Sequence, residues 1–182
     1  MSAVTNMSEM FAYSHVTKVN LPSIGNNVEV FDRSFQGCYY LTEIKGIKNW
    51  NTSEATSMSY MFYASNKLTS LDLSGFDTGK VTKMQYMFDG CTGLTSLNLS
   101  GFDTSSVTNM VNMFSNCNKL TSLNLSEFVT SNVTDMSNMF ANCKALTSLD
   151  VSGFDTKNVI YMNGMFRSCS GLTSLDLSGF DT

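Results

Sequence analysis

The residues with the clearest capacity for chemistry are the five cysteines, because thiolates bind metal ions and form disulfides. Cys91, Cys117, Cys143 and Cys169 are spaced 26 residues apart, and Cys38 lies nearer the N-terminus. The C-x-x-C spacing that is typical of zinc sites is missing. We therefore interpret the cysteines as one structural position repeated, and we predict small, buried, reduced thiols without a metal. Disulfide pairing between neighbouring copies stays open, although parallel Cβ directions disfavour it.

Other catalytic arrangements are not indicated by the residue pattern. A nucleophile needs an adjacent base, and His15 is the single histidine of the chain. The serines and threonines recur at repeat positions, so the sequence predicts no enzyme and no cofactor. Aspartates recur as well, and we interpret each as capping its own turn, with a calcium site as the alternative. The members of this column are Asp77, Asp103, Asp155 and Asp181, with Val129 interrupting it.

Charge and hydropathy exclude several classes of protein. The net charge is −4 and 14% of the residues are charged, which argues against a nucleic-acid partner. No apolar run approaches the roughly 20 residues of a membrane span. The residues that open the sequence already read as repeat, so we expect no signal peptide among them. Because the sequence ends partway through a copy, we expect a longer parent protein.

These residues belong to a repeat of 26 residues, which is clearest over 133–158 and recurs over 107–132 and 81–106. A fixed period of this size predicts a solenoid, in which each copy stacks on the next. We expect about seven coils, with divergent coils or a cap over 1–54 and regular repeats over 55–182. In the first copy, Pro22 and the stretch 25–27 replace the regular turn. In the second copy, Trp50 occupies a slot that later copies fill with Phe. One extra residue near Gly46 predicts a bulge.

Two periodicities share each copy. The 3,1,3 spacing of Met136, Met139, Phe140 and Cys143 predicts one or two turns of α or 3₁₀ helix. The alternation that follows, around Leu146–Val151, predicts a strand. The fold class is therefore an α/β repeat with a parallel β-sheet on one side, short helical turns on the other, and all of these apolar residues inside.

The pattern L-x-x-L-x-L followed by V-x-x-M-x-x-M-F-x-x-C resembles the bacterial leucine-rich repeats of the BspA type, in particular their Met-Phe variety. Similar phrases recur in surface lipoproteins and wall-anchored proteins of mycoplasmas, lactobacilli, listeriae and enterococci. The resemblance implies a right-handed leucine-rich-repeat solenoid, display at the cell surface, and adhesion. It implies no shared catalytic residues.

Two surfaces are candidates for binding an extracellular protein or glycan. An N-terminal patch breaks the repeat pattern at Tyr39, Tyr40, Glu43 and Lys45. The outward face of the predicted sheet is a small polar grid, which could gain strength from its many copies. It consists of Ser70, Asp72, Ser74, Ser96, Asn98, Ser100, Ser122, Asn124, Ser126, Ser148, Asp150 and Ser152.

Threonine columns suggest a second function. A flat, regular array of threonines could order water, so ice binding is an alternative hypothesis, and a structural spacer without a ligand is another. The first column is Thr42, Thr69, Thr95, Thr121, Thr147 and Thr173; the second is Thr52, Thr78, Thr104, Thr130, Thr156 and Thr182; the third is Thr56, Thr82, Thr108 and Thr134, followed by Ile160.

Overall fold

The computed structural model describes residues 4–24 and 27–181, so Gly25, Asn26 and Thr182 lie outside the described residues. Regular secondary structure is sparse. Strand β1 spans Lys18–Asn20, β2 spans Glu43–Lys45, β3 spans Ser70–Asp72 and β4 spans Ser96–Asn98, and a 3₁₀ helix covers Ile47–Asn49. The predicted repeat fold is confirmed, because equivalent residues of successive copies pair along the described chain.

The pairing is parallel and in register. Strand β1 pairs with β2, and β3 pairs with β4, so that Leu71 lies opposite Leu97. The strands form two separate two-stranded sheets rather than one. A column of single parallel bridges runs the length of the molecule instead. It links Asn6, Val30, Ser57, Lys83, Asn109, Asp135 and Tyr161 in sequence order.

The continuous backbone ladder lies in the Met-Phe segments. Amides of one copy donate to carbonyl oxygens of the next, as from Tyr60 to Gln85 at 3.0 Å and from Phe62 to Met87 at 2.9 Å. The intervening amides close turns within the copy, as from Tyr63 to Tyr60 at 3.0 Å. These segments are therefore successive β-turns, and the predicted short helices are wrong. An α-helix would direct every amide along its own axis, whereas alternate amides here point to the neighbouring copy.

Left-handed backbone conformations make these turns possible. Each copy has two residues of positive φ, four positions apart, such as Asn112 at 56° and Asn116 at 61°. Asn and Gly reach this region at the lowest cost. Later copies use them at these sites except at Ser168, while Tyr60 and Tyr86 adopt the same conformation at 59° in earlier copies.

Stacked phenylalanine rings form the centre of the core. Phe62 lies 5.7 Å from Phe88 with ring planes 3° apart, and Phe88 lies 5.6 Å from Phe114. The stack continues from Phe11 to Phe166. The Met, Leu and Cys side chains of the middle copies surround it and are buried, as predicted, except for Leu97, which is half-buried. Trp50 is buried in its Phe slot and stacks on Phe31 at 5.5 Å.

The extra residue near Gly46 is accommodated by a helix. Gly46 has φ of 84° and begins the 3₁₀ helix, and a Cβ there would lie 2.3 Å from the carbonyl oxygen of Leu21. On the other side of the helix, a Cβ on Gly75 would lie 1.9 Å from the carbonyl oxygen of Lys48. The predicted bulge is thus a tightly packed helical turn between β2 and β3, where the two sheets separate.

Candidate binding surfaces

The cysteines form an internal hydrogen-bonded column. Cys91 Sγ donates to the carbonyl oxygen of Phe62 at 3.1 Å, and Ser65 Oγ makes the equivalent bond to Phe35 at 2.6 Å. Burial raises the pKa of the Cys143 thiol to about 12. The predicted burial is therefore confirmed for all but Cys169, which is partly exposed, and the thiols act as structural donors.

Three of the recurring aspartates, Asp77, Asp103 and Asp155, cap their own turns, as predicted. Asp103 Oδ1 accepts the Ser105 amide at 2.9 Å, and Asp155 Oδ1 accepts the Lys157 amide at 3.1 Å. The hydrogen bond from the Ser105 side chain lowers the pKa of Asp103. Within residues 4–24 and 27–181, no group of three or more His, Cys, Asp or Glu side chains could hold a metal ion.

The twelve residues of the polar grid are all exposed. The central residue of each trio also accepts the amide two residues later, as Asp150 does from Ser152 at 2.9 Å. The side chains of Asn98 and Asp72 join neighbouring copies at 3.0 Å. The grid is therefore accessible, although its Asp and Asn oxygens are engaged in local turns.

We call the face formed by the Met-Phe β-turns the turn side, and the face that carries β1–β4 and the polar grid the strand side. On the strand side, crevices open between copies. A crevice of about 520 Å³ lies between residues 148–150 and 174–176, and one of about 280 Å³ lies where β2 faces β3. Among the described residues, the amides of Ser148, Leu149 and Asp150 make no backbone hydrogen bond to a neighbouring copy. The predicted continuous sheet is thus reduced to two short pairs.

The N-terminal patch divides into two parts. Tyr39 and Tyr40 are 45% and 52% exposed, and the ring of Tyr40 stacks on His15 at 5.2 Å. Glu43, by contrast, forms ion pairs with Lys18 at 3.3 Å and with Lys45 at 3.6 Å. A hydrogen bond from Lys18 lowers the pKa of Glu43. The charged members of the patch therefore satisfy one another along β1 and β2.

Sequence reasoning missed a tyrosine cluster on the turn side. Tyr60 stacks on Tyr86 with centroids 4.6 Å apart, and Tyr63 meets both rings nearly edge-on at 5.7 and 6.4 Å. The Arg33 guanidinium carbon lies 5.1 Å from the Tyr60 centroid. The available signal was positional, because the slot of Tyr60 and Tyr86 holds Asn112 in the next copy.

A buried carboxylate adjoins these tyrosines. Asp89 is 6% exposed, and its oxygens accept hydrogen bonds from Asn116 Nδ2 at 2.8 Å and Asn112 Nδ2 at 3.3 Å. Desolvation raises the pKa of this carboxyl. We call Tyr60, Tyr63, Tyr86 and Asp89 the tyrosine–aspartate surface.

The three threonine columns differ in exposure. The described members of the second column are buried, and Thr78 Oγ1 donates to the carbonyl oxygen of Asp103 at 2.8 Å. That column cannot form part of a surface array, so this element of the ice-binding hypothesis is wrong. The first and third columns are exposed, but hydroxyls such as that of Thr95 donate to backbone carbonyls of the preceding copy.

Comparison with solved structures supports the repeat fold. A leucine-rich cell surface protein from Faecalibacterium prausnitzii aligns with a TM-score of 0.51 and 18% identity over 88% of this chain. The alignment spans 47% of that protein, so this chain corresponds to about half of its length. A comparison with curated proteins gave no match. Over the described residues, no helix has the length and apolar character needed to cross a membrane.

A family model matches nearly the whole sequence. Its matches cover residues 5–121, 29–148 and 117–182, which overlap as expected for a repeat whose copies resemble one another. The chain therefore belongs to the family described as Mycoplasma protein of unknown function, DUF285.

Proposed function

We propose that the chain is a non-enzymatic repeat module, displayed at the cell surface, that binds an extracellular protein or glycan. In this proposal it is a right-handed leucine-rich-repeat solenoid of about seven coils, of the BspA type and its Met-Phe variety. Support comes from the repeat pattern and from the fold shared with a leucine-rich cell surface protein. Divergent copies over 1–54 precede the regular copies.

One observation carries the proposal: the turn side holds its backbone constant while its outward side chains vary. The same slot is occupied in successive copies by Glu9, Arg33, Tyr60, Tyr86 and Asn112. The backbone hydrogen bonds at this slot recur, as in the 3.0 Å bond from Arg33 to Ser59 and the 2.8 Å bond from Tyr86 to Val111. A rigid scaffold that presents interchangeable side chains is how repeat proteins build binding surfaces.

The turn side is also richer in binding residues than the polar grid. Six of the seven tyrosines occur within the first 86 residues, and Tyr and Arg are the residue types that most often dominate interfaces. The grid contributes small polar side chains, which favour weak and repeated contacts. We therefore assign the principal contact to the N-terminal half of the turn side, including Tyr39 and Tyr40.

The experiment is a binding screen of the intact chain against immobilised extracellular-matrix proteins and a glycan array. Two variants locate the contact: Tyr39→Ser with Tyr40→Ser, and Ser96→Lys with Ser122→Lys on the polar grid. We expect the tyrosine variant to lose most of the binding and the grid variant to keep it. The reverse pattern would move the contact to the grid, and a chain that binds no partner would contradict the proposal and favour a spacer.

A further inference from the structure

Asp89 is a residue that the repeat does not require. Its slot holds Tyr63 in the preceding copy, Ser115 in the following one and Ala141 after that. Among the described residues its carboxylate has no ion pair, and the groups that donate to it are uncharged: the carboxamides of Asn112 and Asn116, the Ser115 hydroxyl and the Gly90 amide. A buried anion without a counter-charge is costly, because the low-dielectric interior replaces water poorly. The fold therefore carries an uncompensated negative charge at a position where other copies carry none.

The adjoining rings already accommodate a cation. Arg33 lies over Tyr60, which stacks on Tyr86 with ring planes 5° apart. Tyr63 is inclined at 65° to Tyr60 and 69° to Tyr86, so it crosses the direction of the stack. Tyr63 is also partly exposed. The Tyr63 ring therefore lies beside the Tyr60–Tyr86 stack and is not a third ring within it.

The charge of Asp89 reaches this ring. Burial raises the pKa of the Tyr63 hydroxyl, and the negative charge of Asp89 is the next cause of the rise. The two residues occupy the same slot of neighbouring copies, and the Ala64 amide next to Tyr63 donates to the Asp89 carbonyl oxygen at 2.7 Å. A tyrosine ring attracts cations through its quadrupole, and an adjacent carboxylate adds to that attraction.

We propose that the partly exposed ring of Tyr63, flanked by Tyr60 and Tyr86, binds a Lys or Arg side chain of a protein partner, and that the buried Asp89 carboxylate strengthens this binding through its negative charge. This inference rests on the proposed function, since it names the chemistry by which the module would recognise its partner. The uncompensated carboxylate and the guanidinium already seated on Tyr60 favour a cationic side chain over a neutral sugar. A glycan at the same residues is the competing outcome.

The test uses the intact chain and a defined probe, an acetylated peptide of alternating Gly and Arg. The same peptide with citrulline in place of Arg keeps the shape and removes the charge. Titration is followed through the tyrosine ring protons by NMR at low salt. We expect the Arg peptide to shift the Tyr63 ring resonances and to bind about three- to tenfold more tightly than the citrulline peptide.

Matched variants distinguish binding at this site from general attraction of the Arg peptide to a negatively charged protein. Asp89→Asn and Asp150→Asn change the net charge equally, but Asp150 is an exposed residue of the polar grid. We expect Asp89→Asn to lower the affinity for the Arg peptide about three- to tenfold. Asp150→Asn should lower that affinity less than about twofold. Tyr63→Ser places in this slot the residue that the chain itself uses at Ser115, and we expect it to remove the preference for Arg.

Three results would overturn the inference. These are equal losses for the two Asp variants, an unchanged preference in Tyr63→Ser, or a neutral oligosaccharide that shifts the Tyr63 resonances when the Arg peptide does not. Partner binding in the extracellular screen that survives the double variant Asp89→Asn with Tyr63→Ser would also overturn it, while leaving the proposed function intact. Failure of the unaltered chain to bind any partner in that screen would count against the proposed function instead.

Discussion

The hydroxyl of Thr104 donates to the carbonyl oxygen of Val129 and accepts the amide of Val129, with both distances 2.8 Å. One buried side chain thereby closes both backbone groups of a residue in the next copy. Thr52 forms the same pair of bonds with Asp77. The link depends on backbone atoms, which explains why Val129 can interrupt the aspartate column without breaking the stack.

Replacing Thr104 with Val should therefore destabilise the protein. The change keeps the shape of the buried side chain and removes both of its hydrogen bonds to the Val129 backbone, which is part-buried. At about 0.5–1.5 kcal/mol for each bond, we expect a loss of about 1–3 kcal/mol in the free energy of unfolding. Urea denaturation measures it. Thr108→Val is the matched control, because Thr108 is exposed, and it should cost less than about 0.5 kcal/mol. Equal losses would contradict the role assigned to Thr104.

The phenylalanine stack predicts that the stability lost on replacing a ring with Ala depends on the position of that ring along the chain. Phe88 is fully buried between Phe62 and Phe114, so Phe88→Ala should cost about 3–5 kcal/mol through lost burial and the resulting cavity. Phe166→Ala should cost clearly less, because Phe166 is partly exposed. Chemical denaturation of both variants provides the comparison. Similar losses at the two sites would show that the rings do not shield one another as described.

Thiol reactivity should follow position in the column. Burial raises the pKa of Cys91 and Cys117, so these thiols should resist alkylation in the native state and react only after unfolding. Cys169 is partly exposed and should react first. Mass spectrometry after timed labelling with iodoacetamide reads the order. Cys117→Ser should fold, since Ser65 fills the same slot; rapid native labelling of Cys117 would refute the buried column.

Asp89 should make stability depend on pH in a defined direction. Its folded pKa is raised above the unfolded value. The unfolded state therefore releases its proton first, and stability falls as the pH rises through the unfolded pKa of about 4. Asp89→Asn should remove this loss and so stabilise the protein more at pH 7 than at pH 3, as measured by urea denaturation at both values.

Asp150→Asn should change the pH dependence of stability in the opposite direction. Hydrogen bonds from the Ser152 side chain and backbone lower the pKa of Asp150, so its contribution is present above the unfolded pKa and is lost as the pH falls through the folded pKa. Removing that charge should weaken the protein slightly at pH 7. If both variants shift stability in the same direction with pH, the assigned environments are wrong.

The repeat period alone predicted the stacking, the burial of residues such as Phe140 and the exposure of the polar grid. It did not predict the turns, because a 3,1,3 spacing suits consecutive β-turns as well as a helix. The distinguishing signal was the recurrence of Gly90, Asn112, Asn116 and Asn138 at positions that require positive φ.

The tyrosine–aspartate surface escaped prediction for a different reason. Tyr60, Tyr63 and Asp89 lie in slots that carry no apolar periodicity, so they read as variable surface residues in a linear sequence. These residues are neighbours because the β-turns direct their side chains to the same outer face of the stacked copies. A linear sequence does not show that arrangement. Comparing each slot across copies would have revealed that aromatic residues gather in the early ones.

Hydrogen exchange of the intact chain tests the central claim, that the turn side rather than the sheet carries the continuous ladder between copies. The Tyr86 and Phe88 amides donate to Val111 at 2.8 Å and to Met113 at 2.9 Å. Among the described residues, the Ser122 and Asn124 amides on the strand side make no backbone hydrogen bond. We predict slow exchange for Tyr86 and Phe88 and fast exchange for Ser122 and Asn124. Protection of the strand-side amides together with rapid exchange on the turn side would contradict the account.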